Sequence, residues 1–182
     1  MTISFEKAQQ QHEATIFSWL DQDYIKEFWD NSDEHYNDIR VFIGGRVQSS
    51  NYFNGIFSYW IGSQDKQAFS LILTSEVLIN QDIPKLWKDN LSQTGKTISL
   101  DFCIGNTAFL GKGIAATTLK EFMHFYHTYI DNQVDTFFID PDQNNSKAIH
   151  VYKKAGFKQV GSFHVENGFF DGSESNLLIA TL

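Results

Sequence analysis

Seven consecutive residues, Leu110-Gly111-Lys112-Gly113-Ile114-Ala115-Ala116, place two glycines and a lysine where an alternating segment gives way to helical periodicity. Glycines at a strand-to-helix turn let backbone N–H groups approach an anion, and the start of a helix adds a favourable dipole. The chemistry on offer is binding of a phosphate-like group; a plain glycine turn would read the same way in isolation. A second set is acidic. Glu13, Asp21, Asp23, Glu27, Asp30, Asp33, Glu34 and Asp38 are offset by Lys26 alone, with Trp19, Tyr24, Phe28, Trp29 and Tyr36 threaded between them. Acids beside aromatic faces suit a cationic amine, and a solvated charged face is the plainer alternative. Asp101 lies in the alternating segment and Asp140 ends the next apolar run, so each offers a carboxylate at a strand. Cys103 has no base beside it and reads as a small buried residue, not a nucleophile. His124 and His127 stand at i, i+3 without a neighbouring carboxylate or thiolate; they read as surface residues, and no metal site is expected.

Elements must hold these groups. In Thr97–Ile104 the even positions are apolar and the odd ones are Thr, Ser, Asp and Cys, which predicts a strand with one packed face and one face presenting Ser99, Asp101 and Cys103. Ala115, Leu119, Phe122 and Tyr126 predict a helix reaching about Tyr129. Thr136–Asp140 reads as a buried strand before Pro141, so the three form a β-α-β unit with parallel strands and a right-handed crossover. Asp142–Ser146 supplies caps for a short helix carrying Ala148, Ile149, Tyr152 and Ala155, stopped by Gly156. Upstream, the pattern predicts a strand at Ile3–Glu6, a helix through Ile16, Trp19 and Leu20, a short helix at Asp38–Gly44, and a hairpin of Phe57–Gly62 and Gln67–Val77 turning at Ser63–Lys66. Residues Asn80–Gly95 read as a surface loop with at most a helical turn, and Phe157–Val165 and Asn176–Leu182 as two closing strands.

The 182 residues are most simply one domain, 1–182, with no internal repeat or linker. A net charge of −8 argues against a nucleic-acid partner and is compatible with a cationic small ligand. No apolar run approaches the roughly 18 residues of a membrane span, and the first residues lack the pattern of a secretory signal. The lone Cys103 excludes an internal disulfide, so the expected location is cytoplasmic. The chain reads as a monomer or homodimer.

Two known uses of such a glycine turn compete. The spacing of a P-loop is absent. Gly111-x-Gly113-x-x-Ala116 matches a dinucleotide fingerprint, and Asp140 ends the next strand where a ribose-binding acid would stand. Against it, the turn lies late in the chain, several residues separate it from the preceding strand, and only about forty residues follow Asp140, too few for further β-α-β repeats. A mononucleotide variant stays open.

Taken together, Leu110-Gly-Lys-Gly-Ile-Ala115 and Asn145-Ser-Lys-Ala-Ile-His-Val-Tyr-Lys-Lys-Ala-Gly-Phe157 resemble the GNAT superfamily of acyl-CoA-dependent N-acetyltransferases, in detail from Ser99 to Phe157. The family's usual Arg or Gln at the first motif position is Leu110 here. The Leu-Gly-Lys-Gly form, Trp19-Leu20 with Tyr24–Trp29, Asp101 and Asp140-Pro141 are similar to the branch of aminoglycoside 6′-N-acetyltransferases and siderophore-assembly acyltransferases. The resemblance implies an α/β (α+β) GNAT fold: a mixed, mostly antiparallel sheet flanked by helices, with its fourth and fifth strands parallel and splayed to hold acetyl-CoA. It places the donor against Phe102, Cys103 and Ile104, its pyrophosphate on Gly111, Lys112, Gly113, Ile114, Ala115 and Ala116, and its remainder near Asn145, Lys147, Ala148 and Tyr152. Tyr152 matches the family's general acid, and a phenol of pKa ~10 is protonated at neutral pH. Asp101 takes a proton from the acceptor amine or orients it, and Asp140 and Trp29 contact the acceptor. The implied reaction is direct acetyl transfer to a primary amine of a small cationic acceptor, aminoglycoside-like or polyamine-like. A siderophore-precursor acyltransferase and a non-catalytic CoA-binding module are the alternatives.

Overall fold

The computed structural model describes residues 2–182. In chain order the elements are β1 (Ile3–Lys7), α1 (Glu13–Leu20), α2 (Asp23–Lys26), α3 (Asp33–Ile43), β2 (Ser58–Gln64), β3 (Gln67–Val77), α4 (Lys85–Lys88), β4 (Lys96–Ile104), α5 (Ile114–Phe125), β5 (Val134–Ile139), α6 (Ser146–Lys154), β6 (Lys158–His164) and β7 (Glu174–Thr181). Among the described residues the strands follow the order β1-β2-β3-β4-β5-β7-β6 in one sheet. Its β1–β2, β2–β3, β5–β7 and β6–β7 pairs are antiparallel, and β4–β5 is parallel. This is the mixed, mostly antiparallel arrangement expected. Contacts divide the chain into two compact units: residues up to Thr74 with Phe102–Lys112, and Ser75–Asp101 with Gly113–Leu182.

In the first unit, β2 and β3 are joined by Asp65 and Lys66, whose φ angles are +50° and +66°. Two residues at positive φ make the tight hairpin turn whose twist matches the strands, with Asp tolerating a conformation usually left to Gly or Asn. The turn is therefore shorter than the Ser63–Lys66 expectation. Ile16, Leu20, Ile39, Tyr59, Ile61 and Leu71 are fully buried, with Trp19 and Trp29 packed among them. The helix expected at Asp38–Gly44 begins five residues earlier, at Asp33. Ser32 accepts a hydrogen bond from the His35 amide at 3.2 Å, and Asp33 and Glu34 occupy the first turn. A capping hydroxyl and two acids at a helix start outweigh the low apolar content that hid this turn in the sequence.

In the second unit, both Thr97 and Ser99 are buried along with Ile98 and Leu100, so the expected open face of β4 begins only at Asp101, which is exposed. The period-two pattern cannot reveal that the first half of a strand is covered on both faces. Residues 80–95 do more than cross the surface: Ile83, Leu86, Trp87 and Leu91 pack on Val77, Phe138 and Leu177. α5 ends at Phe125 and continues as a π-helical turn, Tyr126–Ile130, in place of regular helix to Tyr129. That turn brings His127 Nδ1–H to the Val134 carbonyl at 2.7 Å, so His127 is half-buried and serves structure, whereas His124 is exposed. Among the described residues, no helix is long and apolar enough to cross a membrane.

Candidate functional site

The parallel ladder runs from Lys96–Val134 through a register shift to Thr97–Thr136, Ile98–Phe137 and Ser99–Phe138. There it ends, although β4 runs on to Ile104 and β5 to Ile139. The irregularity lies at Lys96/Thr97, at the other end of the pairing from Asp101. Two residues beyond Ser99 and Phe138 stand Asp101, within β4, and Asp140, one residue past the end of β5. Parallel strands in register carry such side chains next to one another, and these two carboxylates interact electrostatically. Protein packed around the Asp140 carboxyl, and after it the Asp101 charge, push the Asp140 pKa well above the ordinary carboxylate range; its own backbone N–H acts the other way. Asp140 still keeps some exposed surface.

Two helix starts in this unit differ. α6 caps itself: Asn145 Oδ1 accepts from the Ala148 amide at 3.1 Å. α5 begins after Gly113 with no side-chain cap among the described residues, and its sequence opens Ile114-Ala115-Ala116. The first-turn N–H groups of a helix have no acceptor within it. Gly111 and Gly113 both have φ of +71°, a conformation that a side chain would strain, and the space where a Cβ would stand is empty at each. An unfilled helix start behind two left-handed glycines fits an anion, which is the fit a CoA pyrophosphate requires. Tyr152 is buried on α6, its ring centroid 6.2 Å from that of Phe157. Lys147 is exposed and Ala148 half-buried on the same helix.

The remaining expected residues belong to the first unit. Phe102, Cys103 and Ile104 are half-buried. Leu110, the departure from the family motif, is exposed. The Lys112 ammonium lies 5.4 Å from the centroid of Phe109, held by that ring. Trp29 is buried in the core, 6.1 Å from the His35 ring, and its indole N–H has no acceptor among the described residues. The acidic stretch is less uniform than its sequence suggested. Asp38 is fully buried and accepts from Arg46 Nη2 at 2.8 Å, from the Tyr59 hydroxyl at 2.7 Å and from the Ser50 hydroxyl. Asp30 accepts from the Tyr52 hydroxyl at 2.7 Å, Asp21 pairs with Lys26, and Glu13 lies 3.5 Å from Arg40. Asp38 thus leaves the set available to a cationic ligand.

Sequence reasoning missed a clasp on the end of β4. A Cβ on Gly105 would stand inside the Trp19 indole. Gln22 Nε2 donates to the Gly105 carbonyl at 2.7 Å, and the Tyr24 hydroxyl donates to the Ile104 carbonyl at 2.8 Å. The Gly105 and Asn106 amides donate to the Phe69 carbonyl at 2.9 and 3.1 Å. The one available signal was a glycine directly after an alternating strand.

Residues 8–165 match the family model described as an acetyltransferase (GNAT) domain. No curated protein gives a significant sequence match. Among solved structures, the aminoglycoside N(6′)-acetyltransferase of Legionella pneumophila subsp. pneumophila str. Philadelphia 1 is similar at TM-score 0.73, with 20% identity, 98% of this chain and 91% of that one covered. AAC(6′)-Ib in complex with paromomycin and acetyl-CoA is similar at TM-score 0.73 and 17% identity, covering 100% of this chain and 94% of that one. RimL, a ribosomal L7/L12 alpha-N-protein acetyltransferase, follows at TM-score 0.70 and 13% identity, covering 100% of this chain and 91% of that one. At these identities the structures share the fold, and it is the family match over most of the chain that places it: this protein belongs to the GNAT acetyltransferases.

Proposed function

We propose that this protein transfers an acetyl group directly from acetyl-CoA to a primary amine of a small cationic acceptor, aminoglycoside-like or polyamine-like. The observation that carries the reading is the pair of carboxylates, Asp101 and Asp140, at the next in-register positions where the β4–β5 ladder stops. Two acids at an opening in a sheet attract an ammonium group, and one of them with a raised pKa is a better proton acceptor near neutrality than an ordinary carboxylate. Solved relatives of the same fold were captured with aminoglycosides and with acetyl-CoA or CoA, which supports that pairing of acceptor and donor here.

Acetyl-CoA supplies the activated thioester. The chain's own contribution begins with the backbone N–H groups of Ile114, Ala115 and Ala116, which are open to an anion because no side chain caps this helix start. Asp101 and Asp140 hold the acceptor's amine and receive its proton on a carboxylate oxygen. Tyr152 holds a proton on its phenol oxygen for the departing thiolate, an assignment resting on its match to the family position. Asn145 orders the α6 turn below it through the cap on Ala148.

The test is thiol release from acetyl-CoA with a panel of amines that includes aminoglycosides and hydroxylated diamines. The proposal expects acetylation of at least one cationic amine, and loss of about a hundredfold in Tyr152→Phe. Thermal stabilisation by CoA with no amine acetylated would replace it with a non-catalytic CoA-binding module. Full activity in Tyr152→Phe would remove the proton-donor role.

A further inference from the structure

We propose that Asp101 and Asp140 hold one proton in common at neutral pH, so that the open end of β4–β5 carries a single negative charge and gives up one proton when an ammonium group binds. The proposal rests on the reading of this site as the amine-binding end of the enzyme, and it concerns a property that reading does not contain.

Its basis is register. Ser99 and Phe138 are partners, and two residues further on stand Asp101, within β4, and Asp140, one residue past the end of β5. Like charges opposite one another across strands repel. Water can shield Asp101, which is exposed, but less so Asp140, which is enclosed by protein. When two carboxylates share a site, one ionises normally and the other retains its proton. The other charged groups near Asp140 are turned elsewhere. Asp142 Oδ1 accepts from the Asn144 amide at 2.7 Å, and Glu174, whose strand meets the chain after Asp140 through Gln143 N–H at 2.9 Å, is bonded to His164 at 2.9 Å. No cation among the described residues is paired with Asp140 by an ion pair or hydrogen bond.

The proton count balances. In the resting pair one carboxyl is neutral and one is ionised. An incoming ammonium favours two ionised carboxylates, so the shared proton leaves to solvent. The bound ammonium first passes one proton to Asp140, which frees the nitrogen lone pair and restores the singly protonated pair. The nitrogen then bonds to the acyl carbon, the C–S bond breaks with the Tyr152 proton going to sulfur, and the second N–H proton passes through solvent to restore the Tyr152 phenol, so that one proton is released overall. The pair carries one negative charge at rest and two with the ammonium bound, so a carboxylate adjacent to the reacting amine, as in a free amino acid, is repelled in both states.

The deciding measurement is a carboxyl-carbon NMR titration of the ligand-free protein, wild type beside Asp101→Asn and Asp140→Asn. The expected result is an Asp140 midpoint above the usual carboxylate range in the wild type, falling by about one pH unit or more in Asp101→Asn as the like charge is removed. An ordinary Asp140 midpoint, or one unmoved by Asp101→Asn, overturns the proposal. Asp101 is exposed, so its substitution leaves packing intact, and Asp140→Asn checks the reciprocal shift on Asp101. Because no acetyl-CoA or acceptor is present, this outcome is independent of the amine panel: the pair can share a proton in a protein that acetylates nothing, and the enzyme can acetylate amines with two independent acids.

Discussion

Asp38 and Asp140 are the same residue type in two different settings. Asp38 is wholly buried in the first unit, yet every side of its carboxylate is answered by a donor: a guanidinium and two hydroxyls. Asp140, in the second unit, keeps some exposure but meets another carboxylate. Burial alone therefore does not mark a functional acid. Asp38 is paired and satisfied, which makes it a fastener between α3, the Arg46–Ser50 segment and β2. Asp140 is set against a like charge at the end of a ladder, a costly placement of a kind that clusters at functional sites.

The largest effect that would sharpen this contrast is expected from Asp38→Asn. It leaves the Arg46 guanidinium buried without its counter-charge, and breaking a buried pair in this way costs about 3–5 kcal/mol. Chemical denaturation should show that loss; a cost below about 1 kcal/mol would mean that Asp38 is not the fastener described.

Asp140→Asn should behave in the opposite sense. Acetyl transfer should fall by about a hundredfold or more, whereas folding should not suffer at alkaline pH. The sign follows from proton linkage. A carboxyl whose pKa is raised in the folded state contributes stability that is complete below the unfolded value of about 3.9 and is lost as pH rises through the folded value. Asparagine cannot ionise, so the melting temperature of the variant should gain on the wild type as pH rises. A variant that loses stability evenly at all pH values would break the comparison.

A smaller change, Tyr59→Phe, removes one of the donors to Asp38 and keeps the ring. The expected cost is about 1.5–3 kcal/mol, the range for a hydrogen bond to a charged group. Asp38 also raises the pKa of that phenol, after burial as the larger cause, so Tyr59 in the wild type should stay protonated throughout an alkaline spectrophotometric titration.

The smallest expected effect concerns His35, which is buried beside Tyr52 at 4.7 Å and Tyr59 at 5.8 Å. Its Nδ1–H donates to the Asp30 carbonyl at 2.9 Å, and its Nε2 has no partner among the described residues. Burial lowers its pKa, against the opposing pull of the Asp30 carbonyl bond and of the Asp30 and Asp38 charges. The neutral ring thus contributes stability that is present above about pH 6.5 and lost as pH falls through the folded value. His35→Phe should flatten that acid limb in a series of melting curves, and an unchanged limb would assign the acid sensitivity to another group.

The sequence was legible where one periodicity served one face. The alternation of Thr97–Ile104, the stripe along α5 and the capping residues of Asp142–Ser146 each predicted an element that the structure contains. It was silent where a residue's meaning depends on distant partners. Thr97 and Ser99 have the polarity of an open face but are buried. Asp38 reads as one more acid in a charged run because Arg46, Ser50 and Tyr59 stand 8 to 21 positions away. Asp140 reads as a strand-end acid before proline, and only the register of β4 with β5 reveals what it faces. The hairpin at Asp65-Lys66 carried no glycine to announce it.

The contrast between the two helix starts has a kinetic consequence. A first turn whose amide is tied to a side chain, as Ala148 is to Asn145, resists local opening, whereas the uncapped start of α5 belongs to the least protected part of a fold. In deuterium exchange the amides of Ile114, Ala115 and Ala116 should trade with solvent sooner than that of Ala148. An anion seated there would slow that exchange, so a binding event at the donor end could be timed residue by residue without any chemistry taking place.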